Sequence, residues 1–155
     1  MAADFSLTGS LRLSPVWVEP LDASTVTDAT TALVSFAIEN GTATGQANSY
    51  WRDLVLVDPG ETITLDMSAL PINVFGTLAE LDLQSQKLLF VRNRSTSIGL
   101  TVAFGTSVTA ALGPGGIVLA TSTASGWSEP FLTLTNAGGD DDAVSVEVYV
   151  VGVKA

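Results

Sequence analysis

Residues 87–119 read KLLFVRNRSTSIGLTVAFGTSVTAALGPGGIVL and contain four short apolar segments separated by turn-forming residues. Ile98–Phe104 alternates apolar side chains with small or polar ones, as a half-buried strand does. Breaks rich in glycine or polar residues follow at 93–97, 105–107 and 113–116. Strands of this length, with turns at this spacing, are typical of antiparallel sandwiches and barrels.

The same pattern extends through the rest of the chain. Its clearest segment is VSVEVYVVGV at 144–153, because valine and tyrosine favour strands, and we expect it to be a central strand. Counting all alternating segments, the sequence predicts an all-β protein of about ten strands with little or no helix. The predicted architecture is an antiparallel β-sandwich, jelly-roll-like, formed as one domain by residues 1–155.

Two local predictions are more specific. Residues 51–67 contain two alternating segments on either side of Asp58-Pro59-Gly60, which favours a hairpin across that turn. Residues 68–86 alternate less clearly, and we expect irregular structure there with at most a short helix.

Glycine and asparagine define the other turns. The break Gly113-Pro114-Gly115-Gly116 should place Gly115 or Gly116 at positive φ, where glycine alone is unstrained. Asn93 and Ser95 begin the polar turn after the first segment of the opening stretch. We interpret these residues, together with Asp58, Pro59 and Gly60, as residues that shape turns rather than bind a ligand.

Charge and hydropathy exclude several functions. The 155 residues include 16 acidic and 6 basic side chains, for a net charge of −10, so no basic patch for nucleic acid is expected. No apolar run approaches the ~20 residues of a membrane helix. The N-terminal residues lack the pattern of a signal peptide, and we expect synthesis in a cytoplasm.

Charged residues make up only 14% of the chain. That fraction is well below the ~25% that is usual for soluble domains. A sparsely charged surface suits a chain that buries area against other subunits, but a β protein rich in serine and threonine would look the same. Both interpretations stay open at this point.

The residues offer little catalytic chemistry. There is no histidine and no cysteine, which removes the commonest general base, thiolate nucleophiles and zinc–sulfur sites. The carboxylates are interpreted as solvated side chains, because spacing alone does not pair them: Asp53, Glu61, Asp66, Glu80, Asp82 and Glu129. We therefore predict that the chain is not an enzyme and uses no cofactor.

Two weaker binding signals remain. Asp140-Asp141-Asp142 could supply hard oxygen ligands to calcium, although adjacent carboxylates on a turn are more often solvated. Trp127, in a polar loop, and Trp17 are candidate ligand or interface residues, with Trp127 expected to be the more exposed. Trp51 is expected to pack inside the fold.

The opening stretch resembles a pattern found in small β-sandwich virion structural proteins of tailed bacteriophages, of the capsid decoration or cement type. The matching positions are these: Asn93, Ser95, Leu100, Val102, Gly105, Pro114, Gly115 and Gly116. Residues 63–70 and 144–153 also fit, so that the resemblance covers about half of the chain.

The resemblance implies a non-enzymatic protein on the capsid surface that stabilises the head through contacts between subunits and with the shell. Its partners would be the major capsid protein or another virion protein, and its own copies, with a homotrimer favoured. The alternative is a carbohydrate- or receptor-binding β-sandwich module of a phage fibre or a bacterial surface protein.

Overall fold

The computed structural model describes residues 6–13, 16–21, 24–29, 32–74, 76–106, 108–122, 125–136, 138 and 142–155. Within them the chain forms fifteen strands and no helix. In chain order they are β1 (Leu7–Leu13), β2 (Val16–Leu21), β3 (Ser24–Ala29), β4 (Ala32–Asn40), β5 (Gln46–Ala47), β6 (Ser49–Val57), β7 (Thr62–Asp66), β8 (Leu70–Val74), β9 (Thr77–Leu81), β10 (Leu83–Asn93), β11 (Leu100–Phe104), β12 (Val108–Leu112), β13 (Ile117–Thr121), β14 (Phe131–Thr135) and β15 (Val144–Lys154).

Eight of these strands form two four-stranded antiparallel sheets. The first sheet has the order β13-β10-β15-β6 and the second has the order β12-β11-β14-β7. If these eight strands are numbered 1 to 8 in chain order, the first sheet read from β6 to β13 has the order 1, 8, 3, 6. The second sheet read from β7 to β12 has the order 2, 7, 4, 5. This is the strand order of a jelly roll, so the predicted all-β, jelly-roll-like sandwich is confirmed.

The core lies between the two sheets. Alternate residues of β15 point inward and are buried, including Val146, Val148 and Val150, and they meet Val102, Phe104 and others from the second sheet. β15 lies between β10 and β6, as its valine-rich sequence predicted. Because β15 pairs with a strand on each side, its backbone N–H and C=O groups are hydrogen-bonded along most of the strand.

The remaining strands form smaller units. β1 pairs antiparallel with β4, and the short β5 pairs parallel with β4. Two antiparallel ribbons, β2–β3 and β8–β9, complete the described strands. Five of the short strands were not predicted as strands, and they account for the excess over about ten: β2, β3, β5, β8 and β9.

The predicted hairpin across residues 51–67 is wrong. β6 pairs with β15 in the first sheet, whereas β7 pairs with β14 in the second. The turn at 58–61 exists, but it carries the chain from one sheet to the other. Alternation shows which face of a strand is buried, and it does not show which strand lies beside it.

The expectation of irregular structure at 68–86 is also wrong. Residues 70–74 and 77–81 pair as the β8–β9 hairpin, and β10 begins at residue 83. The prediction failed because β9 is exposed at four of its five residues, so it lacks the half-buried alternation by which strands are recognised.

Candidate interaction surface

The feature that stands out on this fold is the side of the first sheet that points away from the core, here called the outer face. It consists of Tyr50, Arg52, Leu54 and Leu56 of β6, Glu147, Tyr149 and Val151 of β15, Leu88, Phe90 and Arg92 of β10, and Ile117 and Leu119 of β13. Arg94 follows directly after β10 and lies beside Glu147.

Strand register aligns these side chains in rows across the sheet. One row runs from Leu119 through Phe90 and Tyr149 to Arg52. The side chains of Phe90 and Tyr149 meet edge to face, with ring centroids 5.6 Å apart. Neighbours in such rows are the closest side-chain contacts a sheet provides, so the outer face is a continuous surface rather than a set of isolated residues.

That surface is unusually apolar for an exposed sheet. Among the described residues, eight large hydrophobic side chains are exposed, and five of them lie on the outer face: Tyr50, Leu54, Leu56, Ile117 and Leu119. Leu56 is 60% exposed and Ile117 is 54% exposed. Single exposed apolar residues are ordinary, but a contiguous group indicates a contact surface. Here Phe90 and Tyr149 connect Leu119 on β13 to Tyr50 on β6 across the sheet, whereas Leu54 and Leu56 lie beyond the Arg52–Glu147 pair.

One end of the outer face is covered by the β1–β4–β5 sheet. Ile38 and Ala47 from that sheet pack on Leu88 and Val151, and Phe36 joins them. Phe36 lies directly opposite Gly9, where a Cβ atom would collide with its ring, so glycine at this position lets the aromatic side chain cross β1.

Beside this contact the β1–β4–β5 sheet and the first sheet leave an open apolar cleft of about 480 Å³ between them. Its lining includes Leu7 and Phe36 on one side and Phe90, Leu119 and Tyr149 on the other. The volume falls in the range of ligand pockets, roughly 300–1,000 Å³, but few polar groups line it. The cleft is therefore suited to apolar side chains more than to a polar ligand.

Charged residues concentrate next to the apolar part. Arg52 forms an ion pair with Glu147, with its guanidinium nitrogen 3.1 Å from Oε1, and lies 4.9 Å from the centre of the Tyr149 ring. The Tyr149 hydroxyl donates to the same carboxylate oxygen at 3.0 Å. This hydrogen bond is the main reason why the pKa of Glu147 is lowered, while burial and the neighbouring Glu147 raise the pKa of Tyr149.

The predicted turn residues are brought together at one end of the sandwich. The buried Asn93 side chain donates to Ile98 O at 2.7 Å and to Gly113 O at 3.1 Å, and it accepts from Ser95 N at 2.9 Å. Ser95 Oγ accepts from Ile98 N at 2.9 Å. Asn93 and Ser95 therefore tie the turn after β10 to the turn that precedes β13.

The two proline turns share one conformation. In each, a backbone N–H donates to the carbonyl three residues earlier, from Glu61 to Asp58 at 3.0 Å and from Gly116 to Gly113 at 2.9 Å. Gly60 and Gly115 occupy the third turn position at φ 73° and 69°, after Pro59 and Pro114. The prediction of a positive φ at Gly115 or Gly116 is confirmed at Gly115.

The tryptophans differ from expectation. Trp127 is half-buried, packs against the core, and meets Phe104 edge to face at 6.0 Å between ring centroids. Its expected exposure in a polar loop is not confirmed, because its backbone also pairs with Gln86 and holds the loop against β10. Trp51 is buried as expected and donates through Nε1 to Pro71 O at 2.8 Å. The side chain of Trp17 lies outside the described residues.

Several of the candidate carboxylates bond to nearby backbone. Asp53 accepts from Leu54 N at 2.8 Å, Glu61 from Asp58 N at 3.2 Å, and Asp66 from both the backbone and the hydroxyl of Ser68. The Ser68 hydrogen bonds lower the pKa of Asp66. These contacts give the three side chains a local structural role.

The described part of the chain contains no cluster of three acidic residues that could hold a metal ion. Of the proposed calcium ligands, Asp140 and Asp141 lie outside the described residues, and Asp142 is exposed. No helix long and apolar enough to cross a membrane occurs in the described residues.

Sequence reasoning missed the outer face. A signal was present at residues 88–91, LLFV, where consecutive apolar residues put hydrophobic side chains on both sides of β10. Such a run indicates that the second side is also in contact with protein. Searches of the sequence against protein-family models and against curated proteins found no match.

Proposed function

We propose that this chain is a non-enzymatic virion structural protein, of the kind that decorates and stabilises a bacteriophage capsid. The observation that carries the proposal is the apolar outer face on a jelly-roll sandwich. The jelly roll is a recurrent architecture of viral capsid domains, and a large exposed apolar surface is typical of proteins that assemble. The resemblance in residues 87–119 supports the same proposal.

The mechanism follows from that geometry. A rigid sandwich, closed by β15 between β10 and β6, carries a contact surface whose residues sit on strands rather than on loops. Binding through such a surface costs little conformational entropy, because the strands are ordered before contact. Copies of the chain, with a homotrimer favoured, would span joints between capsid subunits and oppose outward pressure.

The test uses virions of the phage that would encode this chain. We expect purified, density-banded virions to contain the chain in many copies, as quantified by mass spectrometry and seen as density on the capsid surface by cryo-electron microscopy. Particles stripped of the chain should lose their DNA at a lower temperature, and rebinding of recombinant chain should restore the original value. Virions without the chain would contradict the proposal.

The alternative is a carbohydrate- or receptor-binding module, and the aromatic rings in the cleft, rather than its few polar groups, are the observation that favours it. Phe36, Phe90 and Tyr149 line the cleft, and aromatic rings are the usual platform for a sugar. A glycan array probed with the chain, and with a Tyr149→Ala variant, tests this alternative. Binding that the variant loses would support it, whereas no binding to any glycan would argue against it.

A further inference from the structure

The outer face has a charge opposite to that of the rest of the molecule. It and its rim carry Arg52, Arg92 and Arg94 against two carboxylates, Asp53 and Glu147. The rest of the chain carries 14 acidic and 3 basic residues. The face is therefore slightly positive on a strongly negative protein, and a negative partner surface would complement it.

The same chain carries a surface with that complementary character. Between Leu54 and Lys87 the sequence contains five acidic residues and no basic residue. In this part lies the β8–β9 hairpin, where Leu78 is 82% exposed, the highest value among the large hydrophobic side chains that the structure describes. Glu80, two residues further along β9, is exposed on the same side of the strand.

The opposite side of the hairpin explains why it is held in place. Leu70 and Leu81 are buried in the main core, Ile72 packs against it, and Pro71 O accepts a hydrogen bond from the buried Trp51. The hairpin is thus anchored by one side and presents an apolar and acidic pair, Leu78 and Glu80, on the other. Such a pair matches an apolar cleft bordered by arginines.

We propose that the outer face of one copy binds the Leu78–Glu80 side of the β8–β9 hairpin of a second copy. Leu78 occupies the apolar part of the outer face, and Glu80 lies toward its arginines. This deepens the assembly role proposed above, but it concerns contacts between copies of the free chain.

The charges also indicate the type of contact. A two-fold arrangement of outer face against outer face would bring together two surfaces of the same small net positive charge, which is less favourable than a contact between opposite charges. A head-to-tail contact between two different surfaces avoids this repulsion. Contacts of this type close into rings when the rotation between copies permits it, and a trimer is one such ring.

The test is the mass of the full-length chain in solution, measured by light scattering after gel filtration and by sedimentation velocity. We expect the wild-type chain to form a closed oligomer in 0.15 M salt. Leu119→Asp on the outer face and Leu78→Asp on the hairpin should each return the chain to its 16.0 kDa monomer. Circular dichroism and the melting temperature of each monomer show whether the fold is retained.

Phe131→Asp is the matched control, because Phe131 is 45% exposed on β14 of the second sheet and belongs to neither proposed surface. The oligomer should survive this substitution. Dissociation by Phe131→Asp as complete as by Leu119→Asp would overturn the proposal, and so would a monomeric wild-type chain at about 100 μM, which is far above the Kd of a stable interface.

Charge exchange provides the sharper test. Arg94→Glu and Glu80→Arg should each weaken association by about tenfold, and the two together should recover most of the loss. If the association free energy lost by the double variant equals the sum of the losses in the two single variants, the two surfaces do not meet. Because all of these measurements use free chain, an oligomer that fails to bind capsids would contradict only the proposed function.

Discussion

Removing the side chain of Asn93 should destabilise the fold by several times the usual cost of a single polar truncation at an exposed turn. Asn93 is fully buried, and its amide group bonds to backbone on two separate segments, at Ile98 and Gly113. In Asn93→Ala, Ile98 O loses its bond from the amide, Gly113 O keeps only the bond from Gly116 N, and Ser95 N loses its acceptor.

The magnitude follows from these contacts. A buried polar group left without a partner costs about 1–3 kcal/mol. Ile98 O contributes ~1.5 kcal/mol, the bond to Ser95 N contributes ~1 kcal/mol and the second bond of Gly113 O contributes ~0.5 kcal/mol, which gives a loss of about 3 kcal/mol in the free energy of unfolding. With an m-value of about 2 kcal/mol per M in urea, the midpoint should fall by about 1.5 M.

Urea titration followed by tryptophan fluorescence and circular dichroism measures this loss, at one protein concentration because self-association shifts apparent stability. Asn93→Asp separates hydrogen bonding from packing: it fills the same space, but it sets an oxygen against the two carbonyls, so it should cost at least as much as alanine. Asn73→Ala is the control, because Asn73 is exposed and, among the described residues, its side chain bonds to Gly76 N within its own hairpin and to no other segment. A midpoint shift below about 0.5 M for Asn93→Ala, with an unchanged m-value, would refute the reasoning.

Gly115→Val should lower the free energy of unfolding by about 1–3 kcal/mol, because the residue lies at φ 69° and no atom stands within 4 Å of the added Cβ, so the cost is conformational. In the same urea assay Gly113→Val, in equally open space without a positive φ, should cost less, and equal costs would count against this explanation. The lowered pKa of Glu147 means that its charged form adds stability above its ordinary pKa of 4.5, and that this stability is lost as the pH falls through the lower, folded value. Tyr149→Phe removes the main cause, so unfolding curves between about pH 6 and 3 should depend less on pH than those of the wild-type chain, and an unchanged dependence would contradict the assignment. Far-ultraviolet circular dichroism should show β-structure, and a helix content near the globular average of about a third would contradict the fold.

The strands of the sandwich could be predicted because their cause is local. Each strand buries one side, so the alternation of residues 98–104 or 144–153 appears directly in the sequence. The turns at Gly60 and Gly115 were recognisable for a similar reason, since proline followed by glycine encodes the backbone geometry. The pairing of strands was not recognisable, because in a jelly roll most connections cross between sheets, as the one from β6 to β7 does.

The outer face could be predicted only in part. The apolar residues at 88–91 indicate that β10 is covered on both sides, yet they do not show what covers it. In the structure Leu88 is buried under β4 and β5, whereas Leu119, on the neighbouring strand β13 of the same sheet, is 40% exposed. That difference depends on where the β1–β4–β5 sheet ends, which is a property of the tertiary arrangement.

The central place of β15 determines when this protein can fold during its synthesis. Residues 144–154 leave the ribosome after every strand that they join, and β15 supplies the pairing that connects β6 to β10. Until β15 has been synthesised, both of those strands have an edge without a hydrogen-bonded neighbour. Val57, for example, pairs with Val144, which lies 87 residues later in the chain. A nascent chain that stalls before Val144 would expose two apolar strand edges, which are templates for aggregation. Premature termination in this last strand should therefore yield insoluble protein rather than a shortened but folded product.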